Sequence, residues 1–429
     1  MGSLTTAMLS VSRTRKAMVG ITGSFFIQAF LAVSWLPRIP EIIDNLNVGF
    51  AAWGIIVGIA GTGSLAPLLF TNTLINRFGT RPLLQSSLVL SLICVGSLGF
   101  ISNPWLFFLA LFLQNFGFGI YNLAINSHSV VFQNRIGRVV LGRFHAAWSI
   151  GAASSAMLTG LFAGVLSLEH YLFWVAVVAT VILFLASSQM LGPREDGHEQ
   201  ERKRAAAVPL LKTPKHVIIL AFGLFFTVMP EVTMMDWGAV FGKKVMHLSP
   251  ALQGMPYTLF VVAMIAGRLS VGKLAKRNHF SKVGLQTALL GATSLTLAVG
   301  IGTWLGGVDP LLALAVTALL WIATGLGAGP QVPALFSVTG SVNGMTTAQV
   351  MSRMSLLNST FIMVTKLFMG AIAQGAGVPF VFLIGLGAFI GAAFVSRYLL
   401  AKHKATQANI DAFPITSPMA VINEESLEA

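Results

Sequence analysis

Long apolar blocks, separated by short polar turns, run through this chain from about residue 17 to residue 400. Each block is close to the roughly 20 residues that a helix needs to cross a bilayer. The pattern predicts spans near 17–36, 51–72, 83–101, 105–128, 143–166, 171–190, 217–239, 252–272, 283–304, 310–330, 350–373 and 378–399. Strands of a membrane barrel would alternate apolar and polar positions over about ten residues, and these blocks do not. The expected fold class is therefore an all-α polytopic membrane protein. One long charged break, residues 192–215, divides the spans six and six.

Composition sharpens the picture. Charged residues make up 10% of the chain, against about 25% in soluble domains. The net charge of +13 would suit a nucleic-acid partner, but its distribution argues otherwise. With the N-terminus inside, 23 of the 27 Lys and Arg fall on the cytoplasmic side. Arg38, Lys243 and Lys244 fall outside, and Lys366 falls within a span. The basic excess is a topology signal, with both termini cytoplasmic. The expected organisation is a cytoplasmic tail at 1–16, a six-helix bundle at 17–191, a cytoplasmic linker at 192–215, a second bundle at 216–400 and a polar, disordered tail at 401–429. The first apolar run is long enough to stay as a helix rather than be cleaved as a signal peptide. The lone cysteine, Cys94, is expected in the core.

Of 14 acidic residues, only Glu231 and Asp236 sit in apolar segments, both within AFGLFFTVMPEVTMMDWGAVFG at 221–242. Burying a carboxylate at mid-bilayer costs roughly 2.5–3.5 kcal/mol, so both should face protein or water. Five positions apart, they point roughly 140° away from each other. Pro230 removes a backbone donor beside Glu231 and is expected to open the helix there. Glu231 is expected to be the central group, and Asp236, with Trp237 at the membrane interface, a gate or a pairing residue. Lys366 in the eleventh span needs an anion, and Glu231 is the expected partner. Ser355, Ser359 and Lys366 form a polar seam flanked by Met363.

Other polar groups share helix faces. Asn122 and Asn126 lie four apart on the fourth span. His145, Trp148 and Ser149 share a face of the fifth. Gln28 sits in the middle of the first. Each set suits a solute cavity, and each is also compatible with helix-to-helix packing. Arg38 is expected to pair with Glu41 or to steer anions. Met229, Met234 and Met235 are expected to pack rather than bind metal, and no Cys/His spacing points to a metal. The run Gly267 to Leu274 nearly spells a phosphate-binding loop. It lacks the Ser or Thr at 274 and the preceding strand that such a loop requires.

The two halves echo each other. NTLINRFGTRP at 72–82 follows the second span, and GRLSVGKLAKR at 267–277 follows the eighth. Two such six-helix repeats resemble the arrangement of the major facilitator superfamily. The first turn is similar to that superfamily's loop signature, Gly-x-x-x-Asp-Arg-x-Gly-Arg-Arg: Arg77, Gly79 and Arg81 match it, and Asn72, Asn76 and Thr80 do not. The resemblance implies gating turns at Asn76, Arg77, Gly79 and Arg81 and at Gly267 and Arg268. A latch built on the usual Asp would here be weaker, with Asn76 in its place.

A narrower resemblance rests on four stretches: WLPRIP at 35–40, the run from Asn115 to Ala156, EVTMMDWGAVF at 231–241 and GLGAGPQVP at 325–333. They resemble a bacterial branch of inner-membrane transporters related to the fucose permeases and to rhizopine-uptake proteins. Glu231, Asp236, Trp237, His145, Trp148, Ser149 and Asn126 match that branch. Asn122 stands where the branch has Asp, Gln133 where it has Glu, His128 where it has Gln, and Lys366 with Leu367 where it has a Pro-rich stretch.

The resemblance implies a secondary transporter moving a small polar solute (a sugar, a polyol or an organic acid) by alternating access, coupled to protons. It implies a bacterial inner-membrane location, a monomer in the lipid bilayer, and no cofactor, metal or nucleic-acid partner. The rival readings are an exporter of drugs or metabolites and a non-transporting sensor. An intramembrane enzyme fits least, because no nucleophile–base spacing is present.

Overall fold

A computed structural model describes residues 10–138, 140–192, 195, 214–275, 279–337 and 347–412. Within them the chain is helical. The N-terminal half comprises α1 (Val11–Val33), the short α2 (Ile39–Leu46), α3 (Phe50–Ala60), α4 (Thr71–Phe78), α5 (Thr80–Ser97), α6 (Pro104–Ile136), α7 (Leu141–Phe162) and α8 (Leu168–Gln189). The C-terminal half comprises α9 (Lys215–Lys244), α10 (Met255–Ala275), α11 (Phe280–Gly306), α12 (Pro310–Ala328), the short α13 (Gln331–Ser337), α14 (Thr347–Gly375) and α15 (Val378–Ala412). They form two six-helix bundles.

The helices start where local chemistry dictates. Asn103 accepts from the N–H groups of Trp105 and Leu106 ahead of Pro104, and Asp309 accepts from Leu311 and Leu312 ahead of Pro310. A capping side chain followed by proline satisfies donors that a helix start leaves open. The device recurs at the fourth span of each half, so the repeat extends to the caps. The lipid-facing surface is apolar: Leu319 is 75% exposed, Phe394 70%, and Trp105 and Trp304 stand out at one end of the bundle, as an aromatic belt would.

Several sequence expectations need correction. The second span is not one helix, because Pro67 cannot donate to it. It breaks after Ala60 into two tight turns, Gly61–Ser64 and Ala66–Leu69, before α4. The tenth span, by contrast, ends at Ala328, close to its expected bound, and the short α13 follows Pro330. The helix of the first span begins at Val11, inside the expected tail, with Ser10 capping Arg13. The last helix runs to Ala412 rather than ending near 400. Residues 1–9 and 413–429 and most of the linker at 192–215 lie outside the described residues. Glu195 in that linker pairs with Arg13 at 2.5 Å, and this contact holds its carboxyl well below the usual range, at about 2. The expected turn at 267–277 is helix as far as Ala275, so Gly267 and Arg268 are not loop residues. Pro230 lies inside an unbroken α9. The expected turn at 72–82 is likewise mostly helix: α4 reaches Phe78 and α5 starts at Thr80, so Asn76, Arg77 and Arg81 are helical and the chain turns at Gly79, whose φ of +81° strains a side-chain-bearing residue. The side chain of Asn76 lies outside the described residues, and Arg77 stacks over Phe78.

The halves meet at one end. Lys243 and Lys244 donate to Asp44 at 2.6 and 3.0 Å, and Gln253 donates to Glu41 at 2.9 Å. α3 packs along α14 through glycine: a Cβ on Gly370 would lie 2.6 Å from the Phe50 carbonyl and 2.7 Å from the Cα of Gly54. This close approach is a membrane-helix device in which small residues bring backbones together. Gly370→Ala should therefore destabilise the protein by about 1–3 kcal/mol through overpacking. The same change at Gly387, where nothing lies within 4 Å, should be silent. Thermal unfolding in one detergent compares them, and equal midpoints would contradict this contact.

Candidate functional site

Away from the closed end, a cavity of about 550 Å³ lies between the halves. α1 contributes Gln28, α6 contributes Asn122 and Asn126, and α7 contributes His145, Trp148 and Ser149. α10 faces them with Ile265, Arg268 and Leu269. The structure thus brings together the six neutral polar residues that helical spacing singled out in the N-terminal half. Ile150 and Leu269 line the cavity and are 52% and 66% exposed, so it is open to solvent.

The polar lining is partly ordered by its own bonds. Trp148 Nε1 donates to Gln28 Oε1 at 2.9 Å, which fixes the indole across α1 and α7. Asn126 Nδ2 donates to Asn122 Oδ1 at 2.6 Å. The His145 ring meets Phe25 edge-on at 5.3 Å. Among the described residues, no hydrogen-bond partner takes up the Asn122 Nδ2 donors, the Asn126 Oδ1 acceptor, the Ser149 hydroxyl or the His145 ring nitrogens.

The charged groups are arranged differently from the expectation. Lys366 does not reach Glu231. Its Nζ lies 3.1 and 2.8 Å from the two oxygens of Asp236. Glu231 instead accepts from Arg268 at 2.5 Å. The cause is the angular offset of the two acids on α9: α14 packs beside Asp236, and α10 packs beside Glu231. Arg268 escaped notice as a partner because its basic neighbours made it look like part of a turn. The two pairs differ in access. The difference lies at the acids: Asp236 is 4% exposed at its side chain and Lys366 18%, against 22% for Glu231 and 26% for Arg268.

Other expected residues settle elsewhere. Trp237 is not at the membrane surface. It is buried and meets Phe50 edge-on at 5.7 Å, across the two halves. Ser359 is half-buried on α14 and is not among the cavity-lining side chains, and the side chain of Ser355 lies outside the described residues. Arg38 is buried, bonds Glu41 and sits 5.7 Å over the ring of Tyr171. Met229 and Met234 are core. Gln133 caps α7 by accepting from Val140 and Leu141, and Thr80 bonds His128 at 2.7 Å. Sequence reasoning also missed the tie of Asp44 to Lys243 and Lys244. The only available signal was opposite charge at two outer turns.

Two six-helix bundles that close on each other at one end and hold a polar cavity between them have the architecture of a membrane transporter. Residues 17–342 match the family model of the Major Facilitator Superfamily, and the chain belongs to that superfamily. It is 26% identical over 358 residues to an uncharacterized MFS-type transporter of Yersinia pestis, spanning 82% of this chain and 87% of that one. It is 22% identical over 395 residues to the membrane protein MosC of Rhizobium meliloti, spanning 91% of each. Among solved structures, a mutant form of the nucleoside transporter NupG matches with a TM-score of 0.71 at 14% identity. That match covers 89% of this chain and 98% of the other, and it is a likeness of fold.

The pairing of Lys366 with Asp236 has a measurable signature. Lys366→Met alone should destabilise the protein by about 3–5 kcal/mol, because it leaves a buried charge unmatched. Asp236→Asn combined with Lys366→Met should recover most of that loss. Thermal unfolding of the single and double variants tests this, and simple addition of the two losses would sink the pairing.

Proposed function

We propose that this chain moves a small, neutral, ring-bearing polar solute across the membrane by alternating access, coupled to a proton. The observation that carries the reading is the Glu231–Arg268 pair beside the cavity. Water reaches it, so one proton suffices to break it. Deprotonated Glu231 holds Arg268. Protonation weakens that hold and lets α9 and α10 shift against each other. Differential affinity of the two facing states for proton and solute drives the cycle.

The lining supports a neutral solute. A free lysine would suit an acid, but Asp236 occupies Lys366, and Glu231 neutralises Arg268. What remains is amide, hydroxyl, imidazole and indole, the groups that recognise sugars, polyols and nucleosides. A cavity of about 550 Å³ lies within the usual range for small-molecule sites. The nucleoside transporter of like fold adds nucleosides to the panel by analogy alone. The positive charge at the open end supports a cytoplasm-facing conformation in a bacterial inner membrane, with Asp44 and its lysines outside.

A thermal-shift panel of sugars, polyols and nucleosides on the purified protein supplies the labelled probe. In proteoliposomes, Glu231→Gln should lose accumulation driven by a proton gradient by about tenfold or more, yet retain counterflow of the same probe. Full uphill uptake by this variant would end the proposal. Everted vesicles set the direction of flux.

A further inference from the structure

At the open end of the N-terminal bundle, apart from the central cavity, a second cavity of about 970 Å³ lies between the first turns of α1 and the α6–α7 turn. Four arginines line it: Arg15 on α1, Arg135 and Arg138 at the end of α6, and Arg143 on α7. The turn that presents them is held in shape. Gly137 takes φ +62° to end α6, and Gln133 caps the start of α7. Neighbouring Arg13 is fully engaged by Glu195 and by the carbonyls of Gln189 and Met190. Among the described residues, Glu195 also draws on Arg135 electrostatically, and no hydrogen bond or ion pair engages the side chains of Arg15, Arg138 or Arg143.

Like charges gathered in one recess repel unless an anion joins them. Guanidinium forks match phosphate oxygens in geometry as well as in charge. The rest of the wall says where the phosphate comes from. Val11, Met18 and Val19 of α1 share the cavity, and Val11 and Val19 are 88% and 62% exposed. Apolar side chains displayed beside an arginine cluster at the end of a membrane helix suit a molecule that carries acyl chains beneath its phosphate. Such basic recesses at the ends of spans are where anionic lipids bind.

We propose that this cavity binds the headgroup of an anionic phospholipid, with its phosphate among Arg135, Arg138, Arg143 and Arg15 and its chains along Val11, Met18 and Val19. The site is separate from the solute cavity and does not depend on the solute's identity.

Native mass spectrometry of the full chain in neutral detergent tests it, with phosphatidylglycerol and phosphatidylcholine as probes. Wild type should retain phosphatidylglycerol about tenfold better than phosphatidylcholine. Arg135→Gln/Arg138→Gln/Arg143→Gln should abolish that preference. Lys273→Gln/Lys282→Gln/Arg397→Gln, an equal loss of exposed charge on the other bundle, should keep it. Equal loss in both variants, or no preference in wild type, overturns the site. Displacement of the lipid by millimolar inorganic phosphate, at the phosphate concentration that gives the same thermal shift without lipid, overturns the lipid assignment. Should the glutamine variant not purify as a folded monomer, Arg135→Lys/Arg138→Lys/Arg143→Lys keeps the charge and removes the forks. It should weaken retention about threefold, and wild-type retention would overturn the proposal.

Discussion

A charge inside a membrane protein has to be matched where it lies, and this requirement organises the C-terminal half. α9 carries two carboxylates on different faces. One face recruits Arg268 from α10 and the other recruits Lys366 from α14. Three helices are thereby fixed around one axis by two ion pairs. The pairs are chemically alike but unequal in surroundings. Asp236 is enclosed, so parting it from Lys366 leaves its carboxylate in a low dielectric. Glu231 and Arg268 meet water, so their separation has solvent to compensate it. The same kind of contact thus holds a buried acid at one position and a half-buried one at the other.

The two halves divide the chemistry between them. The N-terminal half brings neutral donors and acceptors to the cavity, ordered by Trp148 on Gln28 and Asn126 on Asn122. The C-terminal half brings the one charged pair beside it. Neutral polar groups and paired charges are therefore supplied by different bundles. At the closed end the roles differ again: Asp44 and Glu41 of the first half receive Lys243, Lys244 and Gln253 of the second. A solute held by both linings would feel any movement of one bundle against the other.

Much of this was legible in the chain itself, for definable reasons. Apolar runs of bilayer length located the spans, and shared helix faces gathered Asn122 with Asn126 and His145 with Trp148 and Ser149. Those inferences need only the helical repeat. Pairing across helices needs more, since it depends on which neighbour packs against which face. Lys366 was therefore assigned to the wrong acid, although the two acids and the lysine were all found. Arg268 was hidden by its basic neighbours, which imitate a turn while α10 continues through them. Trp237 beside a charge looked like an interfacial anchor; its true interface is the other half of the protein, through Phe50. The tie of Asp44 to Lys243 and Lys244 joins positions about 200 residues apart, beyond the reach of any local pattern.

The glycine seam between α3 and α14 carries a mechanical implication. At Gly54 and Gly370 backbone rests on backbone, and Gly58 leaves room for the side chain of Leu367. Such a surface offers shape with few teeth, so little rotamer rearrangement resists its parting. Among the contacts that fasten that end is the exposed bridge from Asp44 to two lysines, which dissolved ions weaken. Ionic strength becomes a natural throttle on how readily the closed end yields.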